Sequence, residues 1–309
     1  MRAFIVSDIH ANLEALNAVL EYTEQSGLQH DVLWNLGDTV GYGGSPNQVI
    51  DRIRPLSTLT VRGNHDRVCC GLSSALNFNP VARAAVEWTK TELTPTNLSW
   101  LVDLPQGPLQ PQISGTARIS TEILLSAGSA SSADTLAPLA SDPEFDPSST
   151  TISCAHGSPM HEDDYIVSLR DAWVPLQQMR TTLTFIGHTH IQGGFALYQP
   201  HGELSARATG SRSPAGPPGE WQDLRPHFSS RSRPESWSVR LVPTARYLLN
   251  PGSVGQPRDG DWRASFAIYD ETASEITFYR VPYDVTAAQG RILMAGLPER
   301  LASRLREGR

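Results

Sequence analysis

Long apolar runs are missing from this chain of 309 residues; its longest apolar stretches are strand-sized, which argues against a membrane-spanning helix. The apolar opening at residues 1–6 gives way to Ser7-Asp8 too soon to supply a signal-peptide apolar region. Cysteine is scarce. Three are present, two of them adjacent as Cys69 and Cys70, a poor basis for a disulfide framework, so a reducing, cytoplasmic compartment is expected. Clustered basic charge is also missing. The chain has 25 Lys and Arg against 32 Asp and Glu, for a net charge of -7, which argues against a sequence-independent electrostatic grip on nucleic acid. A phosphate-bearing substrate stays open, because bound divalent ions reverse the local field whatever the global charge. There is no internal repeat.

The hydrophobic share of 39% and charged share of 18% suit a globular protein long enough to bury a substantial core. Over the first sixty-odd residues strand and helix signals alternate. Strands are expected at 2–6, 32–36 and 59–61, with helices at 11–25 and 46–53 between them. This βαβαβ order implies a parallel sheet with crossover helices. Asn79-Pro80 looks like an N-cap followed by proline at the first helical position, opening a helix to about residue 93, and a shorter helix is expected at 97–104. Residues 106–150 and 199–237 are rich in Ser, Pro and Gly and are expected to be mobile insertions, apart from a strand at 119–125. Further strands are expected at 151–155 and 183–186, with a helix near 168–180 between them. Close-spaced strands at 239–242, 246–249, 265–269 and 275–279 suggest an antiparallel meander. One amphipathic helix is expected at 285–307. The ligand candidates described next span residues 8 to 190, so a single domain over 1–309 is the expectation.

Five polar clusters each follow an apolar, strand-like run: Ser7-Asp8-Ile9-His10, Gly37-Asp38, Gly63-Asn64-His65-Asp66, His156-Gly157 and Gly187-His188-Thr189-His190. In open α/β sheets ligands bind beyond the carboxyl ends of the strands, so these side chains are aimed at one region. Asp8 with His10, and His188 with His190, stand two apart, which in extended chain puts both members on one face. The donors are oxygen and imidazole nitrogen without thiolate. That chemistry suits Mn, Fe, Ni, Co or Zn better than Ca or a structural zinc. Asp8, His10, Asp38, Asn64, His156, His188 and His190 are too many for one tetrahedral site, and two metal ions sharing a carboxylate is the simplest arrangement.

In order and composition these blocks resemble the calcineurin-like metallophosphoesterases, whose pattern runs D-x-H, G-D, G-N-H-[DE], H, G-H-x-H. Residues 37–43 and the Asn250-Pro251-Gly252-Ser253-Val254 block look like the bacterial and archaeal phosphodiesterase branch. The resemblance implies a four-layer α/β/β/α sandwich with two mixed β-sheets. It implies that Asp8, His10 and His190 hold one ion, that Asn64, His156 and His188 hold the other, and that Asp38 bridges them. Such a pair, about 3.5–4 Å apart, generates a bridging hydroxide and clamps the phosphoryl oxygens. His65 then stands beside the scissile phosphate as acid or charge stabiliser, with Asp66 orienting it and Asn64 within reach of substrate.

Blander readings stand beside these. Asp38 alone could simply end a strand in a turn, and Asp66 could be a helix N-cap. Gly41, Gly43 and Gly44 either let the backbone approach a phosphate or form a plain tight loop. Arg258 is either a phosphate contact or an exposed loop residue. For Arg62 a structural salt bridge is the preferred reading; His161, Asp163, Asp164 and Tyr165 either line the pocket rim or, the preferred reading for most of them, form a solvated loop. His30, His201 and His227 match no block and read as surface residues. Cys69 and Cys70 read as small apolar fillers.

The leading function is a hydrolase of phosphodiesters, with phosphomonoesters also in range, acting on small, nucleotide-like substrates. A dinucleoside polyphosphate hydrolase and a serine/threonine protein phosphatase are alternatives on the same scaffold. A non-catalytic interaction scaffold is disfavoured because Asn64, His65 and every ligand are present.

Overall fold

Alternation in the first strand divides the interior in two. The computed structural model describes residues 1–111, 151–198 and 219–309. In it β1 (Arg2–Val6) turns Ala3 and Ile5 to one side and Phe4 and Val6 to the other, all four fully buried. The helix α1 (Leu13–Gln25) follows, capped by Asn12, whose Oδ1 accepts the Ala15 N–H. Then come β2 (Val32–Asn35), α2 (Pro46–Ile53) and β3 (Leu59–Thr60). The three strands pair in parallel, as the alternation of signals implies. A short helix, α3 (Asn64–Cys69), was not anticipated. It precedes α4 (Pro80–Glu92), capped by Asn79 with Pro80 at its first position, and α5 (Pro95–Asp103).

The second half adds β4 (Ile152–Cys154), α6 (Leu169–Gln178), β5 (Leu183–Phe185), β6 (Gly193–Tyr198) and β7 (Glu220–Leu224). It closes with β8 (Glu235–Arg240), β9 (Ala245–Asn250), β10 (Ala264–Asp270), β11 (Glu275–Val281), α7 (Val285–Met294) and α8 (Glu299–Glu307). One mixed sheet runs β3-β2-β1-β10-β11-β8 and the other β4-β5-β9-β6-β7. Their facing sides share one apolar layer that includes Ile5, Trp34, Phe185, Leu249, Tyr269 and Phe278. The outer side of the first sheet, with Phe4, Leu33 and Phe266, packs on Leu16 and Val19 of α1, Ile292 of α7 and Leu301 of α8. The outer side of the second sheet packs on Ala172 and Leu176 of α6. Helices, sheet, sheet and helix make the four-layer α/β/β/α sandwich.

Three expectations are corrected. The meander is not continuous: β8, β10 and β11 pair antiparallel in the first sheet, but β9 joins the second, parallel to β5 and antiparallel to β6. Its residues Tyr247 and Leu249 face the inter-sheet layer while Leu248 faces α6, so both faces are buried. The stretch 199–237 is ordered over 219–237, where β7 pairs with β6 and β8 begins. Residues 199–218, and the strand expected at 119–125, lie outside the described residues. The terminal helix is two helices, broken where Gly296 takes φ 69° and Pro298 precedes α8.

Phe185 sits fully buried between Trp34 and Tyr269, each ring centroid 6.0 Å away. Phe185→Ala is expected to cost about 3–5 kcal/mol through lost burial and the cavity left. A denaturation midpoint compared with the parent protein measures it.

Candidate metal centre

The expected polar clusters leave the carboxyl ends of β1, β2, β3, β4 and β5, and Asn250 ends β9 beside them. The chain does not stay extended there. Asp8, His10, Asp38, His188 and His190 all take positive φ, between 49° and 64°. Left-handed backbone costs a residue with a Cβ about 1–2 kcal/mol. The pairs two apart therefore converge through loop geometry, not through strand alternation, which corrects the sequence reading. A mesh of bonds holds the loops: Asp8 N–H donates to Gly37 O (2.9 Å), His10 N–H to Asp38 O (2.9 Å) and Gly187 N–H to His156 O (2.7 Å). The 250–255 block locks two of them together. Asn250 Nδ2 donates to Gly187 O at 2.8 Å, and Ser253 Oγ to Asp8 O at 2.7 Å.

Two donor groups result, Asp8 with His10, Asp38 and His190, and Asp38 with His156 and His188, all buried and sharing Asp38. Their protonation follows from what lies behind each ring. His10, His156 and His190 each point Nδ1 at a backbone carbonyl, of Val40 (3.1 Å), Leu36 (2.9 Å) and Gln256 (2.6 Å). A carbonyl only accepts, so a proton sits on each Nδ1, and a ring that carries no second proton presents its Nε2 lone pair inward. His188 is reversed: its Nε2 meets Asp163 O at 3.2 Å, which leaves Nδ1 for the cluster.

The interior is thus crowded with acceptors. His10 Nε2 lies 3.1 Å from His190 Nε2, and His156 Nε2 lies 3.0 Å from Asn64 Oδ1. Asp8 Oδ1 is 3.2 Å from His190 Nε2 and has no hydrogen-bond partner. Lone pairs facing one another and facing carboxylates are stable only around positive charge. Burial pushes Asp8 and Asp38 up, but the imidazoles, His190 foremost for Asp8 and His156 for Asp38, outweigh it and hold both below the usual carboxylate range. Burial likewise lowers His156, yet Asp38 lifts it to about 10. A proton there answers the same demand that a divalent ion does. The residues fit a metal.

His65 is the second residue of α3. Its ring is 4% exposed, edge-on to His10 at 4.9 Å, and its Nδ1 is buried with no hydrogen-bond partner. Its N–H donates to Asp38 Oδ1 at 2.8 Å, so the shared carboxylate also seats the start of α3. Gly41, at φ 88°, lets the chain pass so close that a Cβ there would stand 2.5 Å from His65 Nδ1. That close approach, not a phosphate, explains this glycine. Asp66 does not orient His65. Its Oδ2 accepts the Gly63 N–H and its Oδ1 the Val40 N–H, both at 3.1 Å, so the carboxylate ties α3 to the loop after β2. It stands at the third position of α3 and not at the N-cap, which is Gly63.

Aromatic and basic neighbours surround the donors. Tyr165 stacks on His188 with ring centroids 3.9 Å apart and is 53% exposed, and the loop that carries it is anchored by Arg67 on Glu162 and Asp163. Tyr42 packs on His10 and His65, at 4.6 and 4.3 Å. Arg258 lies 5.7 Å from the Tyr42 centroid, so it is beside the centre and not a remote loop residue. Arg62 makes no ion pair among the described residues, contrary to the salt bridge expected. An aromatic residue in a turn-rich segment carries no sequence sign of which ring it will meet.

A family model described as calcineurin-like phosphoesterase matches residues 1–192. An uncharacterised protein of Methanocaldococcus jannaschii is 30% identical over 311 residues, spanning 99% of this chain and 97% of its own. The crystal structure of a metallophosphoesterase from Sphaerobacter thermophilus is similar at TM-score 0.65 and 34% identity, over 100% of both chains. A hypothetical protein from Pyrococcus horikoshii shares the fold at TM-score 0.67 and 17% identity, over 100% of this chain and 98% of its own. With the family model covering more than half its length and a buried Asp/His cluster at the strand ends, the chain belongs to the calcineurin-like phosphoesterases.

Proposed function

We propose that the protein hydrolyses phosphodiester bonds of small, nucleotide-like phosphate esters with two divalent ions drawn from Mn, Fe, Ni, Co and Zn. The observation that carries this reading is Asp38, common to two buried donor groups whose remaining atoms are carboxylate oxygen and imidazole nitrogen. Asp8, His10 and His190 hold one ion and Asn64, His156 and His188 the other. Bound ions supply charge neutralisation at the phosphoryl oxygens and an activated water. The chain supplies the rest. Carbonyls of Val40, Leu36 and Gln256 fix the tautomers and raise the basicity of three ligands. The backbone N–H of His65 is tied to the shared carboxylate and its ring packs beside His10, where it donates to the departing oxygen. Arg258 offers a guanidinium to an anionic oxygen.

Diester preference is supported by the resemblance of residues 37–43 and 250–258 to the phosphodiesterase branch. The same reading takes the chain as one domain, supported by β1 pairing with both β2 and β10. It places the protein in the cytoplasm, supported by free thiols at Cys69, Cys70 and Cys154. No helix among the described residues is long and apolar enough to cross a membrane.

The test strips the protein of metal, then adds Mn, Ni, Co, Zn or Mg in turn with bis-p-nitrophenyl phosphate or p-nitrophenyl phosphate as substrate. Restored turnover, greater on the diester, is the expected result. Turnover independent of metal, or no metal binding at all, would overturn the reading.

A further inference from the structure

Two guanidinium groups converge on one buried ring at the edge of the donor cluster. Tyr42 is 7% exposed and packs against His10 and His65. The guanidinium carbon of Arg258, from the loop after β9, lies 5.7 Å from its centroid, and that of Arg304, from α8, lies 5.6 Å away. A ring face attracts a cation, which explains where each group rests but not why two like charges share one ring.

Glu307 of α8 is the carboxylate side chain that acts on Arg304, without forming an ion pair with it. Arg67, Arg263 and Arg280 each meet carboxylates. Among the described residues, neither Arg258 nor Arg304 makes an ion pair with an Asp or Glu side chain. Arg258 bonds the Gln256 amide oxygen (3.0 Å) and the Tyr42 side chain, and Arg304 Nε donates to the main-chain oxygen of Arg309 (2.5 Å), the last residue of the sequence. Asp259, the residue after Arg258, is engaged by Arg280. Arg258 Nε is buried with no partner at all. A guanidinium has five N–H donors in a planar fork, so most of this capacity is unused. Both side chains remain partly accessible, so a ligand can reach them. Burial, and next the charge of Arg258, push Arg304 down to about 10.

We infer that Arg258 and Arg304 form a second anion subsite beside the metal centre, which takes the second phosphate of a substrate carrying two phosphate groups. The inference rests on the phosphoesterase reading above and narrows its substrate class. The scissile phosphate lies among the donors lined by His10, His65 and His190. The second lies past Tyr42, within reach of the two guanidinium groups beside that ring, whose N–H forks suit the several equivalent oxygens of a phosphate. The C-terminal helix α8 thereby becomes part of substrate recognition although no ligand block lies on it.

The test is binding, which does not depend on turnover. Metal-loaded protein freed of excess metal is titrated calorimetrically with inorganic pyrophosphate and with orthophosphate, using the parent, Arg304→Gln and Arg304→Lys. The parent is expected to prefer pyrophosphate. Arg304→Gln is expected to lose about 10- to 100-fold in pyrophosphate affinity, the range for one charge-assisted contact, and far less for orthophosphate. Arg304→Lys, which keeps the charge without the fork, is expected to fall between. Equal losses for both anions, or none for either, would overturn the subsite while leaving the phosphoesterase reading intact. Failure of the parent to bind either anion would instead strike at that reading and take the subsite with it.

Discussion

Asp38→Asn is expected to lower metal-dependent turnover by about a thousandfold or more while leaving the fold intact. The size follows from position. Asp38 is the one side chain in both donor groups, with Oδ2 3.6 Å from His10 Nε2 and 3.4 Å from His156 Nε2. Removing its charge weakens both sites at once, and about 4 kcal/mol of lost transition-state stabilisation is a thousandfold in rate. The fold survives because the amide keeps what the backbone requires. Its oxygen still accepts the His65 N–H, and asparagine tolerates the left-handed conformation, φ 51°, that this position imposes. Metal content by elemental analysis and melting temperature with and without added metal separate the cases. The parent is expected to melt higher when loaded, since the ion binds only the folded state, and the variant to lose most of that increment. Full metal content with unchanged turnover would remove Asp38 from the mechanism.

The candidate site was legible in the sequence for a physical reason. Each donor block follows a parallel strand, and both the apolar run and the polar break are local signals. Asp8 after Phe4-Ile5-Val6 and His188 after Phe185-Ile186 are of this kind, and the structure brings both to one place. What local signals cannot carry is partnership. Strand β9 was recognisable as a strand, but its place between β5 and β6 is decided by pairing with residues far away in sequence. Strand β7 was missed because its pattern is largely exposed and polar, Trp221 and Leu224 aside, so it has no apolar alternation to read. The break between α7 and α8 had a signal in Gly296 and Pro298, outweighed in the reading by the amphipathic pattern on either side. The role of Asp66 in orienting His65 came from the resemblance of the 63–66 block to the family pattern, not from a local signal. In a helix, however, the third residue folds back on the N-terminal backbone, and this is what the carboxylate does. Tyr42 and Arg304 reach the site through contacts no spacing announces.

His65→Ala is expected to retain metal yet lose about 10²–10⁴ in turnover on esters with poor leaving groups, the usual contribution of a positioned proton donor. Burial pushes the ring down to about 4 against the pull of Asp38, with Arg258 and the neighbouring imidazoles adding to the fall. At neutral pH the free ring is therefore neutral, and it acts first as a hydrogen-bond donor to charge growing on the departing oxygen. Leaving-group dependence distinguishes a donor that matters from a ring that only packs. A p-nitrophenolate leaves without needing a proton, so His65→Ala is expected to cost little on bis-p-nitrophenyl phosphate and much on a diester with an alkyl leaving group. His65→Gln, which keeps an N–H but cannot titrate, is expected to recover part of the loss on the alkyl ester. Losses of equal size on both esters would assign His65 to packing against His10 and Tyr42, and the proton would have to come from elsewhere.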